Sequence, residues 1–270
     1  MGEKTSLRPT QTGGRPLAVE AACLTDAGPT RPANEDSVVV HTPEDVSALI
    51  RKGVLALVAD GMGGHQAGEV ASGIADRRVP EVYYDEPAEP HDALLKAFEA
   101  ANHDIYQAAR REEKRRGMGT TCTAVAVVNG MAYLAHVGDS RAYLLRRGQI
   151  YCLTEDHSAI MALVRQGLMS RTEAHDHEDR NVILRAVGTR ERLEVETWPE
   201  PMALWPEDRL VLCSDGLYET VADNEIRDIA AAEAPAEACK RLIRTAVERM
   251  ASDNVTVAVL GFACVAPEAS

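Results

Sequence analysis

Thr121-Cys122-Thr123-Ala124-Val125-Ala126-Val127-Val128 and Met131-Ala132-Tyr133-Leu134-Ala135-His136-Val137 stand either side of a single Asn129-Gly130 step. Both flanks are rich in β-branched and apolar residues. Asn-Gly adopts the positive φ that both central positions of a two-residue type I′ turn require, and the twist of that turn matches the strands it joins. The stretch therefore predicts an antiparallel hairpin.

The same logic extends along the chain. A second hairpin is predicted at Arg147-Gly148, joining Arg141–Arg146 to Gln149–Leu153. Upstream, two β-like runs between Leu17 and His41 flank a loop rich in turn formers, Thr25–Pro32, and an apolar strand follows at Val54–Ala59. Further strands are predicted at Glu194–Trp198, Arg209–Ser214 and Val255–Phe262. Helical spacing appears in two blocks. Val70, Ile74, Val79 and Val82 make a stripe within Glu69–Tyr83, and Leu94, Phe98, Ala101, Ile105 and Ala108 make one between about Asp92 and Lys114. Two more helices are predicted near 223–233 and 235–250, and the polar, His- and Asp-rich stretch 154–190 reads as a small helical insertion. Strands in hairpins with helices gathered in blocks indicate α+β rather than alternating βαβ units. Two antiparallel sheets packed together, with helices on the outer faces, would bury this many apolar strands. Residues 1–16 read as a disordered arm and 264–270 as a tail, which leaves one domain over 17–263.

Composition excludes several classes of function. Acidic residues number 42 against 29 basic ones, a formal net charge of −13 over 270 residues, which disfavours nucleic acid and anionic membrane as partners. No apolar run has the length of a membrane span, and the N-terminus lacks the apolar core of a signal peptide. The six cysteines, Cys23, Cys122, Cys152, Cys213, Cys239 and Cys264, are scattered without a CxxC pair. They read as reduced, buried thiols of a cytoplasmic protein, here expected to be a monomer.

Chemistry concentrates where strands end. Asp60-Gly61 follows the strand Val54–Ala59, and Asp215-Gly216 follows Leu210–Ser214. A carboxylate beside a glycine suits a hard divalent cation, because the glycine lets a backbone carbonyl approach as a further oxygen ligand. Asp26, Glu35, Asp36, Asp139 and Asp253 also lie at or near strand boundaries. Any one of them taken alone reads better as a turn former. Several together, flanked by glycines, point to a shared cation site.

Arg31-Pro32-Ala33-Asn34-Glu35-Asp36, Asp60-Gly61-Met62-Gly63-Gly64-His65 with Gly68-Glu69, Gly119-Thr120-Thr121, Val137-Gly138-Asp139-Ser140-Arg141, Ser214-Asp215-Gly216-Leu217 and Ser252-Asp253-Asn254-Val255-Thr256 occur in that order. Together they resemble the bacterial branch of the metal-dependent protein serine/threonine phosphatases, the type 2C family, over about residues 18 to 262. The resemblance implies a four-layer αββα sandwich with a small flap subdomain, here 154–190. It implies hydrolysis of phosphoserine and phosphothreonine in proteins by a water held between two Mn²⁺ or Mg²⁺ ions, with no phosphoenzyme, and a third, weaker metal site. Asp60 would bridge the ions, with the Gly61 carbonyl completing the second site. Asp215 and Asp253 would ligate the first. Glu35 would hold the second through water, with Asp36 beside it, and Asp139 would share the third with Asp215. Arg31 resembles the guanidinium that grips the substrate phosphate. An all-oxygen set suits Mg²⁺ and Mn²⁺ rather than Zn²⁺.

The chain departs from the family pattern in two places. Met62 stands where some relatives carry a histidine proposed as the acid for the leaving alkoxide, and His65, three residues on, reads either as an accessory catalytic group or as a turn histidine. His175-Asp176-His177-Glu178-Asp179 reads as a metal tract, or as the end of the flap, with Glu178 in place of the family's proline. Two rival functions remain beside the broad phosphatase: a phosphoprotein-binding relative without turnover, and a phosphatase dedicated to one regulatory phosphoprotein.

Overall fold

A computed structural model describes residues 17–63, 67–170, 173, 174, 177, 179 and 182–264. Twelve strands fall into two antiparallel sheets. The first carries β1 (Leu17–Asp26), β12 (Val255–Cys264), β11 (Arg209–Cys213), β7 (Arg141–Arg146) and β8 (Gln149–Cys152), in that order. The second runs β10 (Met202–Ala203), β6 (Met131–Val137), β5 (Cys122–Val128), β3 (Val54–Met62), β2 (Asp36–His41), with β4 (Gly119–Thr120) on β3 and β9 (Glu196–Thr197) on β6.

Side-chain alternation along the central strands explains the layers. On β3, Val54, Ala56 and Val58 face the other sheet, where they meet Leu144, Leu210, Leu212 and Leu260. Leu55, Leu57 and Ala59 face the opposite way, against helices α2 (Ala67–Asp85) and α3 (Pro90–Arg111). Helices α6 (Asp223–Ala232) and α7 (Pro235–Glu248) cover the outer face of the first sheet, against Val211, Val257 and Val259. Strands covered on both faces read as continuous apolar runs, and burial of each Leu or Phe between the layers contributes about 2 kcal/mol. The result is an α+β, four-layer αββα sandwich, as expected.

Both hairpin turns have the backbone their sequences demand, with positive φ at Asn129 (51°) and Gly130 (74°), and at Arg147 (52°) and Gly148 (72°). Other features differ from the sequence reading. Strand β3 continues to Met62, because Gly61 and Met62 pair with Thr120 and Gly119. Pro80 lies inside α2, which forgoes one backbone hydrogen bond there. Helix α1 (Val46–Lys52), capped by Asp45 accepting from the Ala48 N–H at 2.7 Å, had no counterpart in the sequence reading. Its apolar residues Val46, Leu49 and Ile50 are exposed, so no inward-facing stripe announces it. All six cysteines are free thiols, but Cys152 and Cys264 are exposed and Cys23 half-buried rather than buried.

Within 154–190 a short helix, α4 (Ala159–Arg165), starts at a Ser158 cap. The two ends of the segment are tied together, with the Ala159 N–H donating to Val182 and the Leu184 N–H donating to His157. Trp198 packs on the inter-sheet core, and the Arg146 and Arg147 guanidinium groups stack on Trp205 at 4.2 and 4.8 Å. Among the described residues no helix is long and apolar enough to cross a membrane.

Candidate metal centre

Strand polarity brings the acidic residues to one edge of the sandwich. In the β2–β3 register Asp36 stands directly opposite Asp60. In the first sheet β11 ends where β12 begins, with Cys213 opposite Val257, so Asp215 and Asp253 emerge side by side. The same Cys213 pairs with Arg141 at the start of β7. Gly138-Asp139-Ser140, the crossing from β6 in one sheet to β7 in the other, therefore arrives at that edge too. Helix α5 (Asp215–Tyr218) begins at Asp215 itself.

Buried Asp36 fastens the two sheets together. Its Oδ2 accepts from Ser214 Oγ (2.8 Å) and from Thr256 Oγ1 (2.6 Å), one hydroxyl at the end of β11 and one on β12. Asn254 fastens the loop that carries Arg31 and Glu35. Its Nδ2 donates to the Ala27 carbonyl (2.8 Å) and the Ala33 carbonyl (2.9 Å), and its Oδ1 accepts from the Glu35 N–H (2.8 Å). Ser72 on α2 donates to the Glu35 carbonyl (2.6 Å). Thr120 Oγ1 and the Thr121 N–H both donate to the Asp60 carbonyl at 2.8 Å. Ser72, Ser214 and Thr256 escaped the sequence reading as functional residues, and Asn254 appeared there only inside a motif. Their roles come from partners 37 to 227 positions away, and only the motif neighbourhood of the last three hints at them.

Glycine is required at the contact between β3 and α2. A Cβ on Gly61 would lie 2.3 Å from the Gly68 carbonyl oxygen and 2.4 Å from that of Glu35. One on Gly68 would stand 2.9 Å from Glu35 Cδ. The first turn of α2 thus sits directly on the Asp60-Gly61 backbone.

The electrostatics are those of crowded carboxylates. Burial first, then the charges of Asp36, Asp215, Asp139 and Asp253, push Asp60 well above the usual carboxylate range. Burial and then Asp139 and Asp253 do the same to Asp215. Asp139 is raised to about 7 by burial and then by Asp156, and Asp36 to about 6 by burial, against the hydrogen bonds from Thr256 and Ser214. Glu35 is raised by burial. Glu219, one turn after Asp215, adds to the negative field on Asp139 and Asp215 and was not singled out from sequence. Among the described residues Asp139 Oδ1 and Asp215 Oδ1 are buried without a hydrogen-bond partner. A buried, unpartnered carboxylate oxygen is costly unless a cation neutralises it.

The donor set fits a hard divalent cation. Among the described residues no three His, Cys, Asp or Glu side chains stand close enough together to enclose an ion by themselves. Mg²⁺-type sites do not need such a cage, since they use one or two carboxylates and keep several waters. Asp60, Asp215, Asp253 and Glu35 are partly exposed at the edge, where water completes a coordination sphere, while Asp36 and Asp139 are buried behind them.

The sequence candidates are accordingly brought together, with exceptions. Arg31 lies at the same edge, its Nη2 donating to Asp253 Oδ2, and its side chain is 51% exposed. Burial opposes its charge, but the Asp253 hydrogen bond and the charges of Asp253, Asp215 and Asp60 outweigh that and raise its pKa. Asp26 belongs to a turn instead, its Oδ1 accepting from the Gly28 N–H at 2.8 Å. His65 lies outside the described residues, as do His175, Asp176 and Glu178 of the His/Asp-rich tract. His177 is half-buried, and among the described residues its Nδ1 pairs locally, accepting from the Asp179 N–H at 3.1 Å.

Comparison with known proteins gives a consistent result. The protein phosphatase 2C family model matches residues 39–256. The serine/threonine phosphatase stp of Listeria monocytogenes is 36% identical over 245 residues, which covers 88% of this chain and 94% of that protein. The serine/threonine protein phosphatase PstP of Mycobacterium tuberculosis is 38% identical over 246 residues, 90% of this chain and 45% of that longer one. Its crystal structure superposes with a TM-score of 0.80 at 36% identity, covering 91% of this chain and 98% of the solved one. A structure of the PstP catalytic domain in complex with two manganese ions gives a TM-score of 0.79 at 35% identity, with 92% and 99% covered.

Proposed function

The chain belongs to the protein phosphatase 2C family, and we propose that its acidic edge is the active centre of a metal-dependent protein serine/threonine phosphatase. The observation that carries this reading is the convergence of Asp36, Asp60, Asp139 and Asp215 from two sheets on one edge, with buried oxygens on Asp139 and Asp215 that no group among the described residues satisfies. Its substrates are phosphorylated proteins, the products of a Ser/Thr kinase.

Two divalent ions, Mn²⁺ or Mg²⁺, supply when bound the acidified water and the positive charge that hydrolysis of a phosphomonoester dianion needs. Asp60 would hold both, Asp215 and Asp253 the first, and the Gly61 carbonyl the second, with Glu35 reaching it through water and Asp36 beside it. Asp139 with Asp215 would hold a third, weaker ion. Asp36, fixed by Ser214 and Thr256, keeps the carboxylates of the two sheets in register. Arg31 donates to Asp253 through one nitrogen, which leaves its other N–H groups to orient the substrate phosphate. The 154–190 segment would form the flap beside the site. The free, buried thiols Cys122 and Cys213 suit a reducing cytoplasm, and the chain is proposed to act as a monomer.

Release of phosphate from a phosphothreonine peptide by the purified chain with Mn²⁺ tests the reading. Turnover should appear with metal and vanish with EDTA, and the Asp60→Asn protein should stay folded and inactive. Full turnover by Asp60→Asn would contradict it.

A further inference from the structure

His157 has no role in the chemistry above, yet it joins several chain segments at one buried point, where it is 1% exposed. Its backbone N–H donates to the Gly138 carbonyl and its carbonyl accepts from the Leu184 N–H, both at 2.7 Å. Its ring Nδ1 accepts from the Gly138 N–H at 3.1 Å. That bond leaves Nδ1 bare and puts the ring proton on Nε2, which donates to Glu196 Oε2 at 3.0 Å. His136 lies alongside, with its ring centroid 4.8 Å away and its own nitrogens bound to Thr123 Oγ1 (2.8 Å) and the Glu155 carbonyl (3.2 Å).

Both backbone polar groups of Gly138 are therefore held by one residue. Gly138 has φ +116°, and a Cβ there would stand 2.5 Å from Thr121 Cβ, so only glycine fits this turn. Asp139 follows immediately. Among the described residues its Oδ1 has no hydrogen-bond partner, so the aim of that carboxylate is set by the backbone that carries it.

We infer that His157 is a positioning residue for Asp139: held by Glu196, it fixes Gly138 and thereby the carboxylate, and through Leu184 it ties that placement to the 154–190 segment. The inference rests on the reading of Asp139 as part of the metal site. The arrangement parallels the outer-shell carboxylate–histidine pairs that orient metal ligands, except that here the imidazole grips the ligand's backbone. A histidine that merely fills the core would leave metal affinity untouched.

Calorimetric titration of Mn²⁺ into the metal-free full chain at one pH tests this, using wild type, His157→Asn, His157→Gln and Asp139→Ala. Asn keeps an acceptor near the Nδ1 position. Gln can still reach Glu196 but leaves the Gly138 N–H without its acceptor. His157→Gln should weaken the weakest Mn²⁺ step about tenfold or more and His157→Asn should stay within about threefold of wild type, with the tighter steps unchanged in both. Melting temperatures of the metal-free variants accompany the titration, and Asn and Gln proteins that melt alike while differing in Mn²⁺ affinity support positioning over bulk stability. If His157→Gln binds like wild type while Asp139→Ala has lost the weak step, the inference is overturned and the reading of Asp139 stands. If Asp139→Ala keeps that step, the reading of Asp139 falls and the inference with it.

Discussion

Two glycine turns at the ends of β7 do opposite jobs. Arg147-Gly148, at its far end, is a hairpin turn whose glycine has φ +72° and open space around it, since a Cβ there would meet nothing within 4 Å. Gly138-Asp139, just before its start, has φ +116°, packs against Thr121, is gripped on both sides by His157, and delivers a carboxylate with an unpartnered buried oxygen. The first turn is locally content and could be read from two residues. The second is held in an unfavourable state by contacts from distant parts of the chain, which is how strain and unneutralised charge are kept at a functional site.

Several measurements would sharpen or break that contrast. The largest effect is expected at the acidic edge itself. Asp215→Asn should lower turnover on a phosphothreonine peptide by at least about a hundredfold, yet raise the melting temperature of the metal-free protein, because it removes a charge that Asp139 and Asp253 repel. A metal-free variant that melts lower than wild type would show that the crowding is not destabilising. Next comes the comparison of the turns. Gly138→Ala should cost about 3 kcal/mol or more through steric conflict with Thr121 plus the positive φ, and Gly148→Ala only about 1 kcal/mol. Equal costs in urea unfolding would erase the distinction. Asn254→Ala should cost roughly 2–3 kcal/mol by removing the three hydrogen bonds that hold the 27–35 loop. It should also raise KM for the phosphopeptide, since Arg31 rides on that loop.

The smallest and most diagnostic effect is in pH. The carboxyls of Asp36 and Asp139 are raised in the fold to about 6 and about 7, above an unfolded value of about 3.9. Between about pH 4 and pH 7 the folded chain then binds more protons than the unfolded one, so their contribution to stability is present at low pH and is lost as pH rises. Metal-free protein should therefore melt at falling temperature across that window. Saturating Mn²⁺ should cancel the fall, because the metal binds the deprotonated carboxylates. A metal-free melting temperature that climbs from pH 5 to pH 7 would contradict the raised values.

The contrast also explains what could be read from sequence. Hairpins at Asn129-Gly130 and Arg147-Gly148, and the helices of the two outer layers, follow from local turn chemistry and periodicity. Asp60-Gly61 and Asp215-Gly216 were legible because a carboxylate beside a glycine at a strand end is a local signal. Helix α1 was hidden because its apolar residues face outward, and β10 because two residues carry no period. Ser72, Asn254 and His157 were hidden for another reason. Nothing near them in sequence says that Ser72 will meet Glu35, that Asn254 will meet Ala27, or that His157 will meet Gly138, since those contacts join elements that only the tertiary fold brings together.

The central claim is that the acidic edge binds divalent metal through carboxylates from both sheets at once. Equilibrium Mn²⁺ binding to the metal-free full chain, compared between wild type, Asp60→Asn on β3 and Asp215→Asn after β11, tests it most directly. The account predicts that wild type takes up two ions tightly and that either single substitution, one in each sheet, removes tight binding. Two tightly bound ions retained in both variants would contradict it.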